Sequence, residues 1–144
     1  MLEEALSPFI IGVGGKVGNS YRDLIAWQRA FDLSVQIYKL TADFPREETY
    51  GLSSQMRRAG VSIASNIAEG YGRCSSREYR RFLAIAYGST LELQTQLEIA
   101  KKLGFGKAEL LEKTQSASEE AGKIIWAIKK KLERNAAPIN LSEP

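Results

Sequence analysis

Histidine is absent from the 144 residues, and cysteine occurs once, at Cys74. The first absence removes the commonest zinc and haem ligand and the usual imidazole base; the second rules out an intramolecular disulfide. Metal, cofactor and triad chemistry are therefore not expected. Glu92, Glu98, Glu112, Glu119 and Glu120 could bring carboxylates into a helical bundle, but di-metal sites of that kind need inward Glu-x-x-His pairs. No apolar run approaches the roughly 20 residues that cross a bilayer. The short run from Phe9 to Val13 follows Glu3 and Glu4, where a secretory signal needs positive charge, so a cytoplasmic protein without membrane contact is expected. The glycines at 12, 14, 15 and 18 sit in GVGGKVG, which lacks the spacing of a phosphate-binding loop. We read residues 1–21 as a flexible leader and 135–144, with Pro138 and Pro144, as a flexible tail.

What is present is a globular composition, 44% hydrophobic and 26% charged, with a formal charge of +3. A chain of this length buries roughly two thirds of its unfolded surface in one core. The periodicity is helical throughout, and no period-two run competes. Helix one is expected from about Asp23 to Phe44, with Leu24, Trp27, Phe31, Ser34, Tyr38 and Thr41 as its inward seam and Pro45 ending it. Helix two starts near Ser53, its expected N-cap, turns Met56, Ile63 and Ile67 inward, and stops at Gly70–Gly72. Helix three opens on a capping box, Ser75 to Glu78, and carries the seam Leu83, Ala86, Thr90, Leu93, Leu97 and Ala100 before Gly104. Helix four answers from about Lys107 to Glu133 with Leu111, Thr114, Ser118, Ala121, Ile125, Ile128 and Leu132.

Four long helices with short connections predict an all-α fold over residues 22–134, an antiparallel up-down-up-down four-helix bundle. Leu33, Val35, Ile37, Phe82, Ile85, Tyr87 and Leu91 fall outside the primary seams of helices one and three. They mark either a wide core stripe or a second face buried by self-association.

The region with the strongest functional signal is Arg57 to Arg81. It holds Arg57, Arg58, Arg73, Arg77, Arg80 and Arg81 against Glu69 and Glu78, a local net charge of +4 with no lysine. The guanidinium fork matches phosphate oxygens, and these arginines outnumber the nearby acids beside a helix start, which describes an anion-attracting corner. Arg58, Ser62, Asn66, Glu69 and Arg73 are spaced 4, 4, 3 and 4 along one stripe. For Asn66 and Glu69 we favour a structural polar network, because a carboxylate repels phosphate but orients arginines. Lys129–Lys131 can extend the basic field, but a solvated face that complements the dipole near a helix C-terminus is the favoured reading. Tyr71 and Tyr79 can stack on unpaired bases or pack in the bundle, and packing is the favoured reading. Cys74 has no companion group for catalysis and is read as incidental.

Trp27-Gln28 with Ala30, Phe44-Pro45, Tyr50-Gly51-Leu52, Gln55-Met56-Arg57-Arg58-Ala59, Ser62-Ile63, Asn66-Ile67-Ala68-Glu69-Gly70 and Gly72-Arg73 occur in that order. Tyr79, Arg81-Phe82-Leu83, Ala86, Gly88-Ser89 and Glu92 follow. Over about Trp27 to Leu132 the chain thereby resembles the 23S rRNA intervening-sequence proteins and the related accessory variability determinants of diversity-generating retroelements. The resemblance implies a four-helix protomer in a ring-shaped homopentamer. For the retroelement relatives it further implies nucleic-acid binding and partnership with a reverse transcriptase. We therefore expect a non-enzymatic homo-oligomer, pentameric by resemblance, that binds RNA or DNA through the six arginines near the helix two to three turn. The alternative is a structural adaptor that docks a partner protein such as a reverse transcriptase without touching nucleic acid.

Overall fold

A computed structural model describes residues 20–136 of the protein. The expected leader and tail lie outside those residues, apart from Ser20, Tyr21, Asn135 and Ala136. Every regular element among the described residues is helical: α1 (Ile25–Thr41), α2 (Leu52–Gly72), α3 (Ser76–Leu103) and α4 (Ala108–Arg134), with short 3-10 turns at Tyr21–Asp23 and Arg46–Glu48. α2 packs on α1 and α3, and α4 packs on α3 and α1, so the four helices enclose one hydrophobic cluster.

Local chemistry sets the helix ends. Thr41 closes α1 by donating its hydroxyl to the Ile37 carbonyl at 2.8 Å, ahead of Pro45. The start of α2 is capped from a distance: Glu48 Oε2 accepts from the Leu52 amide at 2.9 Å, while Ser53, the expected cap, lies inside the helix and is buried. At α3, Ser75 Oγ accepts from the Glu78 amide at 3.4 Å, which is one half of the expected capping box. The Glu78 carboxylate turns to Arg81 at 3.4 Å. Gly104 ends α3 with φ of 73°, a left-handed value that a side chain would strain.

The seams expected on α3 and α4 are buried in full. Their hydroxyls carry no desolvation debt, because each donates to a carbonyl of its own helix: Thr90 to Tyr87 at 2.6 Å, Thr114 to Leu110 at 2.7 Å and Ser118 to Gln115 at 2.8 Å. On α2, Met56, Ile63 and Ile67 point inward as expected.

α1 is rotated relative to its expected seam. Of the expected seam, Leu24 and Thr41 are buried and Trp27 packs partly on the core, but between them Ala26, Ala30, Leu33, Ile37 and Leu40 face inward, whereas Phe31 and Tyr38 are 47% and 49% exposed. Both sets have helical spacing, so the choice was made by the facing helix. A Cβ built on Gly60 of α2 would stand 2.7 Å from Ile37 Cδ1 and 3.5 Å from Ser34 Cα. The two backbones are thus too close for an aromatic face, and the aliphatic and small-residue face of α1 takes the interior. Leu33 and Ile37, open from periodicity between a wide core stripe and a second face, are core residues. Phe82 is likewise buried, while Val35, Ile85 and Leu91 remain exposed.

Candidate nucleic-acid interface

The six arginines do not form one corner. Arg57 and Arg58 lie in the first half of α2, and Arg73 follows sixteen positions after Arg57. At 1.5 Å per residue that separates them by about 24 Å along the axis. Arg57 is committed to the α1–α2 contact: its Nε donates to Thr41 Oγ1 at 2.9 Å, and its guanidinium lies 4.8 Å from the Tyr38 ring centroid. Arg58 is exposed.

Arg73, Arg77, Arg80 and Arg81 do gather at the α2–α3 turn. Arg73 donates to Glu69 Oε1 at 3.0 Å, and both Arg73 and Arg81 lie over the Phe82 ring, at 5.3 and 5.2 Å from its centroid. Phe82 is fixed because Gly70 lets it approach; a Cβ on Gly70 would meet Phe82 Cβ at 2.5 Å. Arg77 is exposed, and Arg80 is half-buried with its Nε shielded from solvent and without a hydrogen-bond partner.

An open cleft of about 590 Å³ joins Arg77, Arg80, Arg81 and Ala84 of α3 to Lys129 and Glu133 of α4. Lys129, read from the sequence as part of a solvated face, lines the cleft instead, since nothing local says that the end of α4 meets the start of α3. Its ammonium donates to Glu133 at 2.9 Å, and Lys130 approaches the same carboxylate at 3.4 Å. The Lys129 hydrogen bond, followed by the charges of both lysines, holds the Glu133 carboxyl below the usual carboxylate range.

Asn66 and Glu69, expected in one polar network, belong to two. Asn66 Nδ2 donates to Ser62 O at 2.8 Å and to Ser62 Oγ at 3.0 Å, and the Ser62 hydroxyl meets that of Ser89 on α3 at 3.0 Å. Glu69 pairs with Arg73 on its own helix. Tyr79 is only 5% exposed, its ring edge-on to Tyr71 with centroids 6.0 Å apart. Burial, and secondarily Tyr71, raises its phenol far above the ordinary range. No flat face of Tyr79 is open to a base. Cys74 is exposed at the turn with φ of 56°. Among the described residues no cluster of three or more His, Cys, Asp or Glu side chains could hold a metal, and no helix is long and apolar enough to cross a membrane.

Residues 22–127, which span α1 to α3 and most of α4, match the family model described as 23S rRNA-intervening sequence protein. The chain belongs to that family. Among solved structures, the chain is similar to a Bacteroides thetaiotaomicron protein of unknown function from the S23 ribosomal protein family. The two share 25% identity with a TM-score of 0.66, over 74% of this chain and 96% of that one. No curated protein matches the chain. The family match covers every residue of the α2–α3 turn and the cleft except Lys129 and Glu133, which lie just past its end.

Proposed function

We propose that this family member is a cytoplasmic, non-enzymatic homo-oligomer of antiparallel four-helix bundles that binds RNA or DNA at the basic end of each bundle. The observation that carries the reading is the cleft where Arg77, Arg80, Arg81 and Lys129 converge from two helices around only two acids, Glu78 and Glu133. Arginines beside a helix start favour phosphate through both hydrogen-bond geometry and the helix dipole. The family description, 23S rRNA-intervening sequence protein, is in keeping with an RNA ligand. Of the six arginines first considered, Arg77, Arg80 and Arg81 line this cleft, Arg73 stands at the neighbouring turn paired with Glu69, Arg58 is exposed on α2, and Arg57 serves the α1–α2 contact.

The antiparallel arrangement is supported by cross-helix links whose numbers run in opposite directions. Gln94 Nε2 donates to Ser118 O and Gln115 Nε2 to Glu98, while Arg29 pairs with Glu120 and Lys107 with Asp43. Oligomer formation is supported by two apolar patches left outside the core. Phe31, Val35 and Tyr38 lie on one face of α1, spaced 4 and 3, with Ile85, Ile99 and Leu103 on the outer face of α3. Two unlike patches joined head to tail build a ring when the rotation between copies closes, and closure at five copies would give the pentamer of the resembled family.

The adaptor reading, in which the chain docks a reverse transcriptase as accessory variability determinants do, draws on the same exposed patches. The two readings separate on salt. A nucleic-acid binder loses affinity steeply between 50 and 200 mM salt, on the order of 10³-fold for six or more phosphate contacts. An adaptor shows no such binding. Light scattering at micromolar concentration is expected to return a multiple of the 16.0 kDa protomer mass; the protomer mass itself would refute self-association, and a dimer or tetramer the pentamer.

A further inference from the structure

Directly beside the basic cleft, the α3–α4 seam opens into a second groove of about 270 Å³ lined by Tyr87, Leu91, Gln94, Gly122, Lys123 and Trp126, with Glu119 at its far end. Trp126 is 42% exposed, a high value for a ring of its size, and its centroid lies 5.1 Å from that of Tyr87 at 43°. The groove floor is formed at Gly122, where an added Cβ would lie in ordinary contact with Thr90 Oγ1 at 3.4 Å and Gln94 Nε2 at 3.6 Å. The volume falls just under the roughly 300 Å³ at which pockets for drug-sized ligands begin, which suits a single ring system.

The cleft and the groove are neighbours by construction. Ala84 and Lys129 line the cleft, Tyr87 and Trp126 the groove, and each pair is three residues apart on its helix, about 4.5 Å of rise. The Lys129 and Lys130 ammoniums lie 5.3 and 4.7 Å from the Trp126 ring centroid, so the two sites share an edge made of cations over an aromatic face. From this juxtaposition we propose that the seam binds single-stranded nucleic acid: a phosphate sits among Arg77, Arg80 and Lys129, and the adjoining unpaired base stacks against Trp126.

This inference rests on the nucleic-acid reading above and adds the class of strand. The two sites meet where Ala84 and Lys129 give way to Tyr87 and Trp126, so a phosphate at the inner edge of the cleft lies within one nucleotide of a base on Trp126. In a duplex the base faces are covered by neighbouring pairs, and only a single strand or loop can turn one outward onto an aromatic ring. Both lysines now over Trp126 already reach Glu133 in the cleft, so a base can take their place on the ring while they keep a negative partner. Stacking of this kind tolerates any base, which gives preference for single strands without sequence preference.

The test uses the full chain and fluorescence anisotropy with labelled 12-mers: oligouridylate, oligothymidylate, and a blunt duplex of equal length, at one salt concentration. Both single strands are expected to bind more tightly than the duplex. Trp126→Leu, which keeps apolar bulk, is expected to weaken single-strand binding about 10-fold or more and to leave duplex binding and the salt slope unchanged; Trp126→Phe is expected to restore part of the loss. Circular dichroism and light scattering serve as controls. If Trp126→Leu leaves single-strand affinity unchanged, or weakens single strand and duplex equally, the groove is not a base site although the arginine cleft stands. Loss of the assembly in Trp126→Leu with per-protomer affinity retained would place a second copy in the groove and overturn the inference. If the parent chain binds none of the three oligomers, the nucleic-acid reading fails with it.

Discussion

Replacing Arg77, Arg80 and Arg81 together with alanine is the perturbation that bears most directly on the cleft. The structural cost of the change is small. Arg81 is exposed and makes a single surface pair with Glu78 and a stack on Phe82, each worth about 1 kcal/mol or less. Arg80 Nε, shielded and without a partner, gives up no hydrogen bond. The electrostatic loss is much larger. Each neutralised phosphate contributes about 0.7 to the slope of log affinity against log salt for a single strand and about 0.9 for a duplex. Three lost contacts flatten that slope by about 2. Between 50 and 200 mM salt the parent should therefore lose roughly 20-fold more affinity than the variant. Anisotropy titrations at four or five salt concentrations read the slope, with circular dichroism and light scattering confirming that helicity and assembly size are kept. An unchanged slope would refute a phosphate role for these side chains. Collapse of the assembly into protomers would reassign them to contacts between helices or subunits.

Glu133 is one of the two acids lining the cleft, its carboxyl held below the usual range by the Lys129 hydrogen bond and the charges of Lys129 and Lys130. Glu133→Gln should tighten nucleic-acid binding and steepen the salt slope by up to about 1, because it releases Lys129; weaker binding would mean that the carboxylate positions the lysine instead. Tyr79→Phe should be neutral to stabilising at pH 7, since the buried hydroxyl has no hydrogen-bond partner to lose. Its phenol is raised in the folded state, so the stability linked to it is intact below the ordinary tyrosine value near 10 and is lost as pH rises above that. The parent should lose up to about 1.4 kcal/mol per pH unit there, a slope that Tyr79→Phe removes in urea melts at pH 9 to 11. Two glycine variants separate helix propensity from packing. Gly88→Ala, with nothing within 4 Å of the added Cβ, should stabilise by about 0.5–1 kcal/mol, whereas Gly70→Ala should lose about 1 kcal/mol net because its Cβ would press on Phe82. Equal effects in thermal melts would contradict the close α2–α3 approach.

The sequence by itself determined the elements whose signals are local. The unbroken 3-4 alternation on α3 and α4, Pro45 after α1 and the left-handed Gly104 after α3 set the all-α class and located the seams of the two longest helices. The arginine excess was also legible, as basic charge with too few nearby acids. Tertiary structure decided what periodicity leaves open. α1 carries two stripes of helical spacing, and only the close backbone of α2 at Gly60 selects the one without Phe31 and Tyr38. Six arginines close in sequence become two groups because α2 is a rigid rod that carries Arg57 to the opposite end from Arg73. Lys129, far from them in sequence, joins Arg77 and Arg80 because α4 ends where α3 begins. The aromatic pair of Tyr87 and Trp126 arises in the same way, from two helices that meet only once the core has closed, whereas Tyr71 and Tyr79, adjacent to the arginines in sequence, are turned toward one another by the packing of α2 on α3.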